Sequence, residues 1–179
     1  CGIMGFRPST DRYTKGGVVP LSSTRDTICP MGISVDDLAL LDGVMANDTS
    51  RFADLGASDI RIGVPRAVLW DGLEKGVEAC CENVITTLAK AGVTIVEMGP
   101  EDIWEDDAAA SLPIVLYESM KELALYAESR GVAFSDVIDG VASPDVKAIL
   151  ESQLGEEAVT ESVYRAAMDT HRPNMQRKW

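Results

Sequence analysis

The residues that most often carry catalysis are sparse in this chain. His171 is the one histidine among 179 residues. A zinc site would have to use scattered cysteines, whose spacing fits no zinc motif. Because one titratable side chain makes no catalytic constellation, we predict a structural or surface role for His171. Its charge would complement the dipole at the C-terminus of a predicted helix.

A cluster of acids is the second chemical candidate. Its members are Glu101, Asp102, Glu105, Asp106 and Asp107. Carboxylates could bind a hard cation, but this cluster lacks the spaced oxygen ligands and the turn glycine of a calcium loop. We therefore predict a solvated, mobile face and no metal ion.

Serines are the third candidate, as at Ser22 and Ser23. A serine hydroxyl is a weak nucleophile without a base and an oxyanion site, and no base is identifiable from composition or spacing. The usual sequence motifs of phosphate-binding, hydrolase and metal sites are absent, and no cofactor is predicted. The residues alone indicate a soluble, acidic α/β domain.

Composition excludes several partners. Asp and Glu number 29 against 16 Lys and Arg, a net charge of −13. Such a charge repels nucleic acids and anionic membrane surfaces. No apolar run is long enough to span a bilayer, and we expect no targeting segment. The cysteines fit no disulfide framework, and we predict buried thiols in a reducing cytoplasm. They are Cys1, Cys29, Cys80 and Cys81.

The N-terminal third predicts a strand, a loop and a helix. Turn residues predict one short strand at 3–6 and then a long, specifically shaped loop to residue 33. Ser34 is placed to cap a helix that residues 47–50 end, and Asp37 favours its N-terminal dipole. The apolar stripe predicted for this helix consists of Leu38, Leu41, Val44 and Met45. A surface linker is expected to follow, up to residue 58.

The clearest unit is a strand, a helix and a strand at about 60–98. Ile60, Ile62 and Val64 alternate with polar or small residues, which is typical of a strand. Apolar residues then recur from 73 to 88 at the spacing of a helix with one buried face, and Gly92 ends it. Residues 93–96 predict the second strand. Short connections favour a right-handed crossover and parallel pairing.

The remainder is predicted to be helical. An apolar stripe over 116–127 predicts a helix that ends at Gly131. The Ser-Pro-Asp sequence at 143–145 predicts the start of another, closed by Gly155. A last helix is predicted from about residue 156 to His171, before Pro173 disturbs it.

One stretch carries a family resemblance. Residues 1–10, CGIMGFRPST, closely resemble the segment that follows the nucleophile loop in amidase signature enzymes. The likeness continues through residues 11–13, 17–21, 23–27, 30–31 and 34–42. Within the family, the chain looks most like the mandelamide and aryl-amidase group, to which residues 60–98 and 170–173 are also similar. Strong similarity covers the first part of the chain, with weaker agreement over most of the rest.

The resemblance implies a portion of an α/β/α fold around a mixed sheet. It also implies hydrolysis of small, aryl-substituted carboxamides to acid and ammonia through an acyl-enzyme. The family uses a serine nucleophile, a second serine in a cis peptide and a lysine that must be neutral to act as a base. By this resemblance all three precede Cys1. The chain is therefore expected to be an internal fragment that is inactive alone.

The resemblance also places this chain within the parent enzyme. We expect one partial amidase domain over 1–179, with 1–58 next to the active-site region and 59–179 holding the strand–helix–strand unit and a helical substrate-pocket region. Asp26 is the one candidate for the substrate pocket, and a turn-stabilising carboxylate is the alternative. The expected partner of the parent enzyme is a small amide.

Four positions depart from the family pattern. The family usually has Gly at Asp11, Pro-Gly at Ile28 and Cys29, and Arg at Ile33. A glycine often marks a backbone angle that side chains disfavour. These departures leave open a second hypothesis, a diverged, non-catalytic module for assembly or binding. Exposed strand edges in a partial sheet also lead us to expect association, with a second copy or with absent segments.

Overall fold

The computed structural model describes residues 2–48, 55–99 and 102–178. The chain divides into two compact units, Cys1–Arg51 with Ser111–Ala167 and Phe52–Ala110 with Met168–Trp179. Buried apolar side chains of the first unit include Tyr13, Leu38, Ile114, Ala127, Ile138 and Leu150. Those of the second are Val64, Val68, Val93, Ile103 and Ala110. The predicted organisation as a single domain stays a prediction.

The first unit begins with a strand pair and a capped helix. Strand β1 (Met4–Gly5) pairs antiparallel with β2 (Met31–Gly32), a partner that the sequence did not reveal. Helix α1 (Val35–Ala46) has Ser34 as its N-cap, whose hydroxyl accepts the backbone N–H of Asp37 at 3.1 Å. Asn47 ends it in the left-handed region, at φ 50°. The predicted caps are confirmed, because they depend only on local backbone hydrogen bonding.

The apolar stripe predicted for α1 is wrong. Leu38 is buried, but Leu41 and Val44 are exposed, and the other fully buried position of the helix is Asp42. The long loop between β1 and β2 supplies polar partners for Asp42, so the buried side of α1 centres on a carboxylate. Periodicity could not show this because it counts apolar residues only.

The second unit contains the predicted strand–helix–strand. After a 3₁₀ turn (Ala57–Asp59) come β3 (Arg61–Val64), a short helix α2 (Arg66–Leu69), α3 (Lys75–Lys90) and β4 (Thr94–Glu97). Strands β3 and β4 are parallel, with Ile62 opposite Ile95. Gly92 has φ 103°, the left-handed geometry expected at the end of α3. The predicted unit is confirmed.

The burial predicted for α3 is wrong. None of its residues is buried, and Val77 and Val84 are each about half exposed. The prediction of buried thiols is wrong for three of the four cysteines, since Cys80 and Cys29 are exposed and Cys81 is partly exposed. Cys1 lies outside the described residues. The amphipathic spacing is present, but within the described residues little covers its apolar side.

A long helix, α4 (Ile103–Ser129), begins well before the predicted stripe and includes Pro113. It ends before Gly131, whose φ is 69°. Two shorter helices follow, α5 (Phe134–Asp139) and α6 (Pro144–Ser152), and the latter has the predicted proline in its first turn. Among the described residues, none of the helices is long and apolar enough to cross a membrane.

The last helical region differs from its prediction at both ends. Helix α7 (Glu161–Ala166) starts five residues late, where the hydroxyl of Thr160 accepts the N–H of Val163 at 3.4 Å. A π-helical turn (Ala167–His171) and α8 (Arg172–Lys178) continue beyond Pro173. A proline cannot donate to the carbonyl four residues earlier, and a widened turn accommodates that loss.

Asp11 offers a test of the loop conformation. Its φ of 68° is left-handed, which is the geometry that a family glycine at this position would favour. We expect Asp11→Gly to leave the free energy of unfolding within about 1 kcal/mol of wild type, because the exposed pair with Lys15 contributes little. Asp11→Val should lower it by about 1–2 kcal/mol, because a β-branched side chain opposes this φ. Urea unfolding of both variants measures the difference, and equal stability would contradict the assigned backbone geometry.

Candidate functional site

An ion pair between exposed Arg12 and buried Asp42 fastens the long β1–β2 loop to α1. The guanidinium of Arg12 donates to both carboxylate oxygens of Asp42, from Nε at 2.6 Å and from Nη2 at 2.5 Å. The hydroxyl of Tyr13 donates to the same carboxylate at 2.6 Å. These hydrogen bonds, from Arg12 first and Tyr13 second, lower the pKa of Asp42 from 3.8 to about 2. The carboxylate is therefore a charged anchor and a poor base.

A second carboxylate, Glu118 on α4, accepts hydrogen bonds from three hydroxyl groups. Its side chain is 4% exposed. Ser22 donates to Oε2 at 2.5 Å, Tyr164 on α7 donates to Oε1 at 2.7 Å, and Thr24 donates from its hydroxyl at 2.9 Å to Oε1. The backbone N–H of Thr24 adds a weaker contact at 3.3 Å. One carboxylate thus ties the loop to two helices of the first unit.

The charge of Glu118 is set by two opposing effects. Burial raises the pKa of the carboxyl group, because a desolvated carboxylate is less stable than the neutral acid. Hydrogen bonds from Ser22, Tyr164 and Thr24 lower it, and they prevail, so the pKa lies below its ordinary value. Glu118 is therefore ionised at neutral pH, with donors aimed at both oxygens.

The loop segment at Glu118 is held by a further carboxylate, that of Asp26. Its Oδ2 accepts the backbone N–H of Leu21 at 2.8 Å and that of Ser22 at 3.0 Å. This is the turn-stabilising arrangement weighed as the alternative for Asp26, and a role in a substrate pocket stays a prediction. Arg25 donates to the carbonyl of Ser111 at 2.6 Å, which ties the same segment to α4.

Two tyrosines border the Glu118 cluster. The rings of Tyr117 and Tyr164 stack with their centroids 4.3 Å apart and their planes 17° from parallel. The ammonium of Lys121 lies 4.2 Å from the centroid of Tyr117 and donates to its hydroxyl at 2.7 Å. Stacking and the hydrogen bond to Glu118 together orient Tyr164.

This arrangement fastens the loop and does not supply a nucleophile. Ser22 is 1% exposed, so a substrate could not reach its hydroxyl without opening the cluster. Its acceptor, Glu118, has a lowered pKa and is a weak base. The geometry therefore indicates a structural role for three hydroxyl groups, which hold the Glu118 carboxylate by hydrogen bonds. They belong to Ser22, Thr24 and Tyr164.

The acidic cluster of the second unit differs from its prediction. Asp106 is buried, with its carboxylate 3.1 Å from Nδ1 of His171 and 2.9 Å from Nζ of Lys178, which also contacts Asp102 at 2.8 Å. Hydrogen bonds from Lys178 first and His171 second lower the pKa of Asp106. The predicted solvated face is wrong at Asp106, and Glu101 lies outside the described residues. The helix continues past His171, so the expected place near a helix C-terminus is wrong, and its structural or surface role stays a prediction. No metal-binding group of three ligands occurs among the described residues.

The β3–β4 unit carries its own charged network. Arg66 donates from Nε to Glu97 at 2.7 Å and also pairs with Glu82. The indole of Trp70 donates to Glu82 at 2.8 Å, and the guanidinium of Arg66 lies 5.0 Å from the Trp70 ring. These contacts join α2, α3 and the end of β4, and they leave Arg66 satisfied by protein partners.

The sequence patterns did not predict that three buried carboxylates hold neighbouring segments together. They are Glu118, Asp42 and Asp106. A usable signal existed for Glu118, because it continues the row of Ala110 and Ile114 at intervals of four residues along α4. An acid in a buried row requires donors from elsewhere in the fold. The sequence does not say which donors those are.

Comparisons with known proteins agree on one family. A family model described as Amidase matches residues 1–179. The chain is 35% identical over 178 residues to an indoleacetamide hydrolase of Agrobacterium vitis, covering 98% of this chain and 38% of that protein. It is 34% identical over 186 residues to a mandelamide hydrolase of Pseudomonas putida, covering 97% of this chain and 36% of that protein. The chain spans less than two fifths of the length of these curated relatives.

Solved structures show the same fold. A crystal structure of an amidase superposes with a TM-score of 0.75 at 25% identity, covering 99% of this chain and 37% of that chain. The peptide amidase PAM, in complex with the competitive inhibitor chymostatin, superposes with a TM-score of 0.65 at 18% identity, covering 93% and 39%. The predicted portion of an amidase α/β fold is confirmed.

Glu118→Gln tests the buried carboxylate. The substitution removes the charge that three hydroxyl donors share and turns an amide N–H₂ towards one of them. We expect the free energy of unfolding to fall by about 2–4 kcal/mol. Glu128→Gln, an exposed site on the same helix, is the matched control and should change it by less than about 0.5 kcal/mol. Equal stability of the two variants in urea would contradict the central role of Glu118.

Asp42 predicts a pH dependence of stability. Its pKa is lower in the folded chain, about 2, than its ordinary value of 3.8. The stabilisation is therefore fully present above about pH 4 and is lost as the pH falls from about 4 towards 2. Asp42→Asn should flatten the stability profile across this window, as measured by urea unfolding at several pH values. Tyr13→Phe keeps Arg12 and should give an intermediate slope; a slope for Asp42→Asn equal to wild type would disprove the assignment.

Proposed function

The chain belongs to the amidase family, and on that premise we propose that the protein of which it forms part hydrolyses small carboxamides to a carboxylic acid and ammonia. The observation that carries this proposal is the family match along residues 1–179. Two of its relatives are named for hydrolysing indoleacetamide and mandelamide, at 35% and 34% identity. Both amides carry an aryl group, so we propose aryl-substituted primary amides as substrates.

The proposed reaction passes through an acyl-enzyme. A serine oxygen attacks the amide carbonyl carbon and loses its proton to a neutral base, and the C–N bond breaks as the nitrogen takes a proton and leaves as ammonia. Water then attacks the resulting ester, which releases the acid and restores the serine. We propose that the serine, its partner serine and the lysine all belong to polypeptide outside these 179 residues.

In this proposal the chain is an internal part of the amidase and supplies scaffold. Support comes from the length of the relatives, because the chain covers only 36–38% of it. Further support comes from the carboxylates of Asp42 and Glu118, which hold the β1–β2 loop and are poor bases. Catalytic precision requires that loops near reacting groups be fixed, and buried charge-assisted hydrogen bonds are a strong means of fixing them.

The rival hypothesis, a non-catalytic module, is weakened by the loop conformation. Asp11 adopts a left-handed backbone, with φ 68°, which glycine tolerates more readily than other residues. Cys29 and Ile33 are exposed, so their side chains displace no core residue. We also propose a cytoplasmic location, which the free thiols of Cys29, Cys80 and Cys81 support.

Ammonia release tests the proposed function. The longer polypeptide that the coding sequence specifies should release ammonia from indoleacetamide or mandelamide, whereas these 179 residues alone should release none. A fluorophosphonate probe should label one serine of the longer protein and no serine of the shorter one. Stoichiometric labelling of Ser22, or of any other serine in this chain, would overturn the assignment of the nucleophile to other segments.

A further inference from the structure

An aspartate precedes a glycine at three places in this chain, and the three pairs have different surroundings. They are 42–43, 71–72 and 139–140. The side-chain carboxyl carbon of an aspartate lies near the backbone nitrogen of the next residue, and a glycine there has no side chain to block an approach. If that nitrogen bonds to the carboxyl carbon, water is lost and a succinimide ring forms. Whether a pair reacts therefore depends on how its nitrogen and its carboxylate are held.

The first pair is held at both of the groups that would have to react. Gly43 lies inside α1, where a backbone N–H donates to the carbonyl four residues earlier. The carboxylate of Asp42 accepts hydrogen bonds from Arg12 and Tyr13. Ring closure at this pair therefore requires the helix to open and the carboxylate to leave its partners.

The third pair is also held at both groups. The N–H of Gly140 donates to the carbonyl of Asp136 at 3.0 Å, at the end of α5. The carboxylate of Asp139 is exposed but lies 3.6 Å from Nζ of Lys147. This nitrogen also becomes available only when the local structure opens.

The second pair, Asp71 and Gly72, lies in an open turn between α2 and α3. The N–H of Leu73 donates to the carbonyl of Trp70 at 3.4 Å, and Gly72 has φ 75°, as at the third position of a type II turn. Both residues of the pair are exposed, and a side chain at Gly72 would meet no atom within 4 Å. Among the described residues, neither the Asp71 carboxylate nor the Gly72 N–H has a hydrogen-bond partner. This nitrogen can attack without local unfolding.

We propose that the turn at Asp71 and Gly72 is a modification site, at which the folded protein forms isoaspartate. The Gly72 nitrogen bonds to Cγ of Asp71 and loses its proton, and one carboxyl oxygen leaves as water. Water then adds to the succinimide ring. Opening at the side-chain carbonyl restores Asp71, whereas opening at the main-chain carbonyl leaves the chain running through Cγ, one methylene group longer and unchanged in mass. This inference does not depend on the proposed amide hydrolysis.

Incubation of the longer polypeptide that the coding sequence specifies tests this proposal. The folded protein is kept at neutral pH and digested with trypsin, and isoaspartate is located by electron-transfer fragmentation of the peptides. Residues 67–75 form one such peptide, between Arg66 and the cleavage after Lys75. We expect isoaspartate to accumulate about tenfold faster at position 71 than at position 42 or 139, because the other two pairs must first break a hydrogen bond.

The same protein unfolded in urea is the control for local sequence. Unfolding removes the structural differences between the three pairs, so their rates should agree within about threefold. A folded protein that forms isoaspartate equally fast at 71 and 139 would overturn the proposal. A folded protein that forms none at 71 would overturn it as well.

Two matched variants separate this site from the other exposed pair. Asp71→Glu keeps the charge but requires a larger and slower ring closure, so it should remove most of the isoaspartate that residues 1–179 accumulate. Asp139→Glu makes the same change at another exposed aspartate and should leave that amount unchanged. Both variants should melt within about 2 °C of wild type, because both side chains are exposed. An equal loss of isoaspartate in the two variants would contradict the assignment to Asp71.

Discussion

The desolvated carboxylate of Glu118 is the constraint on which the first unit depends. A charge in this position is stable only if hydrogen-bond donors replace the water that it has lost. Ser22, Thr24 and Tyr164 supply those donors from a loop and a helix. The loop must therefore pass beside α4, and Asp26 holds the backbone at that point in the required turn.

Asp42 repeats the same principle at the other side of the loop. Arg12 and Tyr13 converge on its carboxylate, which occupies the position on α1 where an apolar residue would ordinarily be buried. Carboxylates thus hold the β1–β2 loop at two points, Asp42 at residues 12–13 and Glu118 at residues 22–24. Apolar packing around α1 is correspondingly thin, and Leu40 and Val44 on that helix are exposed.

Local rules predicted the elements well and their burial poorly. Ser34, Gly92 and Pro144 each satisfy backbone geometry within a few residues, so their roles follow from sequence. The side chain of Ser143 bonds Asp145 and does not cap the helix as predicted. The burial of Glu118 and Asp106 depends on donors far along the chain, which periodicity does not detect. The exposure of Val44 and Val84 was equally unpredictable, because it depends on which segments pack against them. The family resemblance, by contrast, followed from short residue patterns in the first 42 positions.

The link between Ser22 and Glu118 has a consequence for how the protein emerges during translation. The two residues lie 96 positions apart in sequence. At ordinary elongation rates the ribosome needs on the order of 5–20 s to add that many residues. Throughout that interval the nascent loop has Asp42 but lacks Glu118, so the segment at Ser22 reaches its final form only after α4 has been made.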